Sequence, residues 1–359
     1  MTMPKTLSDV AGRDPSGMYD HMAGFHRQLA EASAIGREAA LTTSSDGLTS
    51  IVALGMGGSA IGAEFASAHL ENRLPVPMRV VRGYVVPEYV GPNTLVLASS
   101  YSGNTEETLS AFDESLARGA RVICVTTGGR LAELAGERGL DVVRIPAGLP
   151  PRAALGYSLL PQLWILHKLG LAPDPTREIE EATGVAAELA GLYAVQRDTA
   201  DNAAKQLAEW FFQQIPVVYG AVPWTGVVAS RWCGQISENS KLIGHRNELP
   251  EMNHNEIVGW SAARPVGGIS RVVFLRDSGE HPRVARRFEV TKRIIDDTGA
   301  DTREVWSMGE SQFARLISLV VLGDFMSYYL AMLTGADPTP VEPIDRLKAA
   351  LAETGKESS

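Results

Sequence analysis

Two stretches of this 359-residue chain carry groups suited to holding a small anion. Gly55-Met56-Gly57-Gly58-Ser59-Ala60 and Ser100-Tyr101-Ser102-Gly103-Asn104-Thr105 are rich in glycine and hydroxyls, and each follows a short apolar run and opens a helix-like segment. Glycine permits close backbone approach and positive φ, so several N–H groups can converge on one anion, and the helix that follows adds the positive end of its dipole. Gly57, Gly58, Ser59, Ser100, Ser102 and Thr105 are thus candidate binders of a phosphate monoester such as a sugar phosphate. Such turns also join strands to helices with no ligand involved. Two of them in one parallel sheet favour the binding role.

Chemistry must come from elsewhere. Ser237-Glu238-Asn239-Ser240-Lys241 closes a helix, and Asn247 to Glu256, containing Asn253-His254-Asn255-Glu256, follows as an irregular polar segment. A carboxylate and an imidazole in one such segment can serve as general base and general acid. The plainer readings are a solvated Glu238 and an Asn-rich capping turn at His254, but neither accounts for so many hydrogen-bonding groups gathered there. Arg152 follows Pro150-Pro151 at a helix start, the electrostatically unfavourable end for a cation, and the prolines would fix its direction towards a developing oxyanion. His245 and His254 do not have the spacing of a metal-ligand pair, and no cysteine joins them.

Two nucleotide readings compete with the phosphate cradle. Gly55-x-Gly57-x-x-Ala60 fits a loose dinucleotide fingerprint, but the next strand ends Val80-Val81-Arg82 without the acid that would hold a ribose, although an arginine there suits a 2′-phosphate, and the second hydroxyl-rich turn has no role in that scheme. No Gly-Lys-Ser/Thr follows either turn, which excludes a P-loop.

The bulk composition limits the partners. A net charge of −9 gives no reason to expect nucleic acid or an anionic membrane. Two cysteines, Cys124 and Cys233, suit a reduced cytoplasmic chain, and the amino terminus has no basic and apolar signal pattern. The apolar stretch Leu316 to Leu333, broken by Gly323 and Asp324, reads as a buried helix.

The elements that must position these groups follow from hydrophobic periodicity. Residues 1–15 read as a loosely held lead-in and 16–41 as one helix. Strands are expected at 51–54, 78–81, 94–99, 121–125 and 141–145, alternating with helices at 59–70, 105–118 and 131–139. A bridging helix at 153–169 and a long helical region to about residue 214 come next. The alternation then resumes with strands at 216–219, 271–275 and 303–306 and helices at 225–239, 284–298 and 313–333. Strands without polar alternation, separated by helices, predict an α/β fold with parallel sheets covered on both faces. Two tandem α/β domains are expected, at 16–152 and 153–335, with a tail helix in 336–359.

Taken together, Gly57-Gly58-Ser59, the serine-rich turn at 100–105, Pro151-Arg152, Glu238-Asn239 and Asn253-His254-Asn255-Glu256 resemble the bifunctional phosphoglucose/phosphomannose isomerases of the sugar isomerase (SIS) domain superfamily. The resemblance runs nearly the length of the chain, to Asp337-Pro338-Thr339-Pro340 and Ile344-Asp345-Arg346-Leu347-Lys348. It implies two SIS-type domains and interconversion of glucose 6-phosphate and mannose 6-phosphate with fructose 6-phosphate through a cis-enediolate, with neither metal nor redox cofactor. It further implies a phosphate grip by Ser59, Ser100, Ser102 and Thr105 with Gly58 at the loop, proton transfer by Glu238, and enediolate stabilisation by Arg152. Ring opening falls to His254 and Lys348, with His254 reaching the neighbouring subunit's site in a homodimer.

Overall fold

The computed structural model describes residues 2–261 and 268–357. Strands β1 (Ser50–Leu54), β2 (Met78–Val81), β3 (Thr94–Ser100), β4 (Arg121–Thr126) and β5 (Asp141–Arg144) form one parallel sheet in the order β2-β1-β3-β4-β5. Strands β6 (Ile215–Ala221), β7 (His245–Leu249), β8 (Ser270–Arg276) and β9 (Asp301–Trp306) form a second, also parallel, in the order β7-β6-β8-β9. The chain runs outward on one side of β1 and then crosses to its other side, so the switch point lies between β1 and β3. That is where open α/β sheets bind ligands, beyond the carboxyl ends of the strands.

The period-two geometry of a strand sorts these apolar runs into layers. Ile51, Ala53, Leu95, Leu97, Ile123 and Val125 point inward and share one core with Val218, Val273 and Leu275 of the second sheet. Val52, Leu54, Val96, Ala98, Val122 and Cys124 face an outer layer of helices, while Val217, Tyr219, Val272 and Phe274 do the same on the other side. Between the sheets lie the helices Phe25–Glu38, Gly57–Leu70, Leu155–Lys168, Thr176–Leu192, Ala203–Phe211, Trp224–Ser240 and Gln312–Thr334. The last is long and apolar enough to cross a membrane, but its apolar window lies entirely inside the protein. Gly323 admits the Trp232 indole into the space a Cβ would fill, and Asp324 pairs with Arg231. The interruption of the apolar stretch is therefore where two helices lock.

Four expectations need correction. The lead-in is anchored: Leu7–Ala11 is a helix with a capping box at Thr6, and the buried Lys205 ammonium donates to the Pro4 carbonyl at 2.7 Å. The single helix at 16–41 is two, Met18–Ala23 and Phe25–Glu38, divided at Gly24. The long helical region to residue 214 comprises Thr176–Leu192 and Ala203–Phe211 with a short 3-10 turn between. The polar segment after Glu238 contains a strand, β7, whose His245-Arg246-Asn247-Glu248 is a charged edge rather than an apolar run. Both cysteines are free.

Candidate active site

The two hydroxyl-rich turns sit side by side because β1 and β3 pair in register. Each feeds the amino terminus of a helix, Gly57–Leu70 and Glu106–Ala117, and no side chain caps either one. Gly57 takes φ +50° at the start of the first helix. Gly103 is required twice: its φ is +70°, and a Cβ there would collide with the Gly128 carbonyl oxygen. The Tyr101 N–H donates to Ser59 Oγ at 3.1 Å, stitching one turn to the other, and Ser100 Oγ and Thr105 Oγ1 lie 2.9 Å apart. Ser59 and Ser100 are buried, whereas Ser102 is exposed. Because the Ser59 oxygen accepts from the backbone, its own proton remains available to a ligand.

Gly58 couples this cradle to the arginine turn. A Cβ on Gly58 would stand 2.5 Å from the Pro151 carbonyl oxygen, so only glycine lets the 3-10 turn Pro151–Ala153 dock on the Gly57–Ser59 turn. Ser158 Oγ donates to the Gly58 carbonyl at 3.0 Å, and the Leu149 N–H donates to the Tyr101 hydroxyl at 3.0 Å. The docked turn buries Arg152 to 4 % exposure. Its Nε donates to Asn239 Oδ1 at 2.7 Å, Nη1 to Glu238 Oε2 at 3.2 Å, and Nη2 to the carbonyls of Pro338 and Thr339 at 2.5 and 2.9 Å. Burial lowers the Arg152 pKa from its ordinary value, and the Glu238 carboxylate opposes that shift. Of the five guanidinium N–H groups, four are engaged and one remains for a ligand.

Glu238 lies in the last turn of Trp224–Ser240, with its side chain 35 % exposed towards solvent. Lys241 ends that helix in a left-handed conformation, and its ammonium donates to the carbonyls of Glu238 and Pro340 at 2.5 and 2.6 Å. One face of the same helix carries further support. Arg231 grips Asp324 through Nε at 3.1 Å and Nη2 at 2.7 Å and also donates to the Arg152 carbonyl at 3.0 Å. Gln235 donates to Asp324, and Asn239 to Ser327 Oγ.

The result is a cleft of about 160 Å³ whose walls include Gly57, Gly58, Arg82, Arg152, Gln235 and Glu238. Ser59, Ser100, Ser102 and Thr105 stand on the adjoining turns. His254 and Lys348 are not among its walls: both are exposed, the first at the end of a 3-10 turn beyond β7 and the second on the terminal helix Glu342–Glu357. His245 faces Glu256 at 2.9 Å; burial pushes the Glu256 carboxyl up, but hydrogen bonds from His245, Tyr219 and Asn247 hold it below its ordinary value. Sequence reasoning missed Arg231, Gln235 and the Thr126–Gly129 turn that braces Gly103, and it weighed Arg82 only within the dinucleotide reading. Arg231 could have been found, since it precedes Glu238 by two helical turns and so shares its face.

The site contains a phosphate-type cradle, a partly exposed carboxylate and a buried guanidinium within one cleft, an arrangement suited to moving a proton on a phosphorylated substrate. The chain matches the model of the SIS domain over residues 48–163 and that of the bacterial phospho-glucose isomerase C-terminal SIS domain over residues 200–351. It is 42 % identical over 336 residues to the bifunctional phosphoglucose/phosphomannose isomerase of Caldicellulosiruptor bescii, covering 94 % of this chain and 99 % of that one. The protein of the same name from Aquifex aeolicus is 40 % identical over 84 % of this chain and 90 % of its own. Among solved structures, a hypothetical protein from Thermus thermophilus superposes with a TM-score of 0.73 at 16 % identity, over 97 % of this chain and 92 % of that one. The C-terminal domain of glucosamine-fructose-6-phosphate aminotransferase from Francisella tularensis gives 0.69 at 15 %, over 90 % and 98 %. These two likenesses concern the fold. The sequence relatives go further, and with them the chain belongs to the bifunctional phosphoglucose/phosphomannose isomerase family.

Proposed function

We propose that this protein is an aldose–ketose isomerase that interconverts glucose 6-phosphate and mannose 6-phosphate with fructose 6-phosphate. The observation that carries the reading is the shared cleft: Glu238 and Arg152 face the same space as Gly57 and Gly58 of the phosphate loop. The turns at 57–59 and 100–105 hold the phosphate through N–H groups and hydroxyls, which fixes the far end of the sugar relative to Glu238. Once the ring is open, the Glu238 carboxylate takes the proton from C2 of the aldose and returns it to C1, passing through a cis-enediolate. Arg152 orients that carboxylate and offers its remaining N–H to the enediolate oxygen. Two protons change place, one from C2 to C1 and one from O2 to O1, and no electron leaves the substrate, so the residues present account for the chemistry without an electron carrier.

Ring opening is assigned to His254 and Lys348. Neither lines the cleft of its own chain, and we assign His254 to the site of a second copy in a homodimer. Its exposure beyond the edge strand β7, close in sequence to the exposed Val258, supports that role. The direct test is incubation of the purified protein with mannose 6-phosphate in excess EDTA, followed by assay for fructose 6-phosphate and glucose 6-phosphate. Formation of both supports the reading. Binding of sugar phosphate without turnover would make the protein a sugar-phosphate sensor instead.

A further inference from the structure

The two turns of the cradle carry no cationic side chain. A phosphate monoester carries about −1.5 to −2 charges near neutral pH, whereas the turns supply only N–H dipoles and hydroxyls in a chain of net charge −9. Three arginines line the cleft: Arg82, Arg152 and Arg231. Arg152 and Arg231 are buried and committed, the first to Glu238, Asn239 and two carbonyls, the second to Asp324 and the Arg152 carbonyl. Arg82 differs from both. Its side chain is 40 % exposed, and its guanidinium meets the Glu64 carboxylate at 2.8 Å.

Arg82 also stands in the right place. It follows β2 directly, and the residue before it, Val81, accepts a hydrogen bond through its carbonyl from the N–H of Gly55, the first residue of the glycine turn, at 3.3 Å. The backbone of Arg82 is thereby tied to the phosphate loop at the carboxyl end of the sheet. We propose that Arg82 is a substrate-binding residue, parked on Glu64 in the free protein and transferred to the sugar phosphate's dianion when substrate enters. This deepens the isomerase reading and rests on it.

The exchange costs little on either side. A partly exposed ion pair, 40 % on the Arg82 side and 32 % on the Glu64 side, contributes little to stability, so a phosphate dianion competes well for the guanidinium. Glu64 is not stranded by the departure. It also borders an adjoining cavity of about 410 Å³ between the two domains, where Arg246 of β7 and Glu248 stand on the opposite wall. Burial raises the Glu64 pKa; Arg82 and Arg246 favour its charged form, and the nearby Glu248 carboxylate opposes it. With Arg82 gone, Arg246 remains as a favourable charge facing Glu64 across the cavity, with Glu248 beside it.

The test uses R82M, E64Q and the double variant of the full chain. KM and kcat are measured for fructose 6-phosphate, and the Kd of inorganic phosphate by calorimetry. R82M should raise KM and weaken phosphate binding about ten- to a hundredfold, the scale of a charge-assisted hydrogen bond, with kcat falling less than about threefold. E64Q should move both constants the other way, since it frees the guanidinium, and the double variant should behave as R82M. Phosphate binding unchanged in R82M would overturn the proposal, as would an E64Q loss parallel to that of R82M, which marks the pair as merely structural. A wild-type protein that binds phosphate through Arg82 but isomerises nothing would refute the isomerase reading and leave this assignment standing.

Discussion

Gly58→Ala separates two effects that the structure sets against each other. Gly58 lies in the first turn of Gly57–Leu70, outside the left-handed region, so alanine meets no backbone penalty there. Helix propensity alone predicts a gain of about 1 kcal/mol. Against it stands the new methyl, 2.5 Å from the Pro151 carbonyl oxygen and 2.9 Å from its carbon. An unstrained C···O contact is about 3.3 Å, so the Pro151–Ala153 turn must retreat by about 0.8 Å. That turn carries Arg152, whose bonds to Glu238, Asn239, Pro338 and Thr339 cannot all follow. A displacement near 1 Å costs about 10² in rate when it misplaces a reacting group. We therefore expect kcat/KM for fructose 6-phosphate to fall about a hundredfold, while overpacking strain of about 1–3 kcal/mol, partly offset by propensity, lowers the melting temperature only modestly. A coupled spectrophotometric assay and a thermal melt on the same preparation decide the matter. A variant that keeps kcat/KM within twofold of wild type would refute the coupling of cradle to arginine.

Three further outcomes rest on other contacts of the same fold. Asp324→Asn leaves the Arg231 guanidinium buried without a counter-charge and should cost about 3–5 kcal/mol in urea unfolding; an unchanged midpoint would show that the helix–helix lock contributes nothing to stability. Glu178 is held at a pKa of about 2, against an ordinary 4.5, by its hydrogen bond to His69, with burial opposing and Arg73 assisting. Its stabilisation is complete above pH 4.5 and is lost as the pH falls towards 2, so the stability gap between wild type and Glu178→Gln should be full at pH 7, narrow below 4.5 and close near 2; a gap independent of pH would contradict this. If His254 serves a second copy, inactive His254→Ala and Glu238→Gln chains unfolded together and refolded should recover part of the activity through hybrid dimers with one intact site, and no recovery would return His254 to its own chain.

Much of this was legible in the sequence because the signals were local. The apolar runs at β1, β3 and β4 are buried on both faces and read directly as parallel strands, and glycine and serine at their ends marked the turns. The β7 strand was hidden since its side chains are those of a charged edge, where pairing to β6 rather than apolar burial makes the strand. Arg152 posed the opposite difficulty. Its type and the preceding prolines suggested a role, but its partners are Asn239 and two carbonyls beyond residue 337, contacts that only the tertiary fold creates. The lead-in looked loose for the same reason, as its anchor is Lys205, far along the chain. Lys348 was singled out through resemblance and His254 through the polar segment around it, and a single chain brings neither to the cleft.

The central claim is that the Glu238 carboxylate carries the transferred proton while the turns at 57–59 and 100–105 hold the phosphate. The most direct measurement is exchange of the C1 hydrogen of fructose 6-phosphate with solvent deuterium, followed by NMR in wild type and Glu238→Gln under conditions where both are saturated. The account predicts exchange in the wild type and a loss of at least about a hundredfold in the variant, the scale of a positioned acid–base group, with inorganic phosphate still bound. Exchange at the wild-type rate in Glu238→Gln would contradict it.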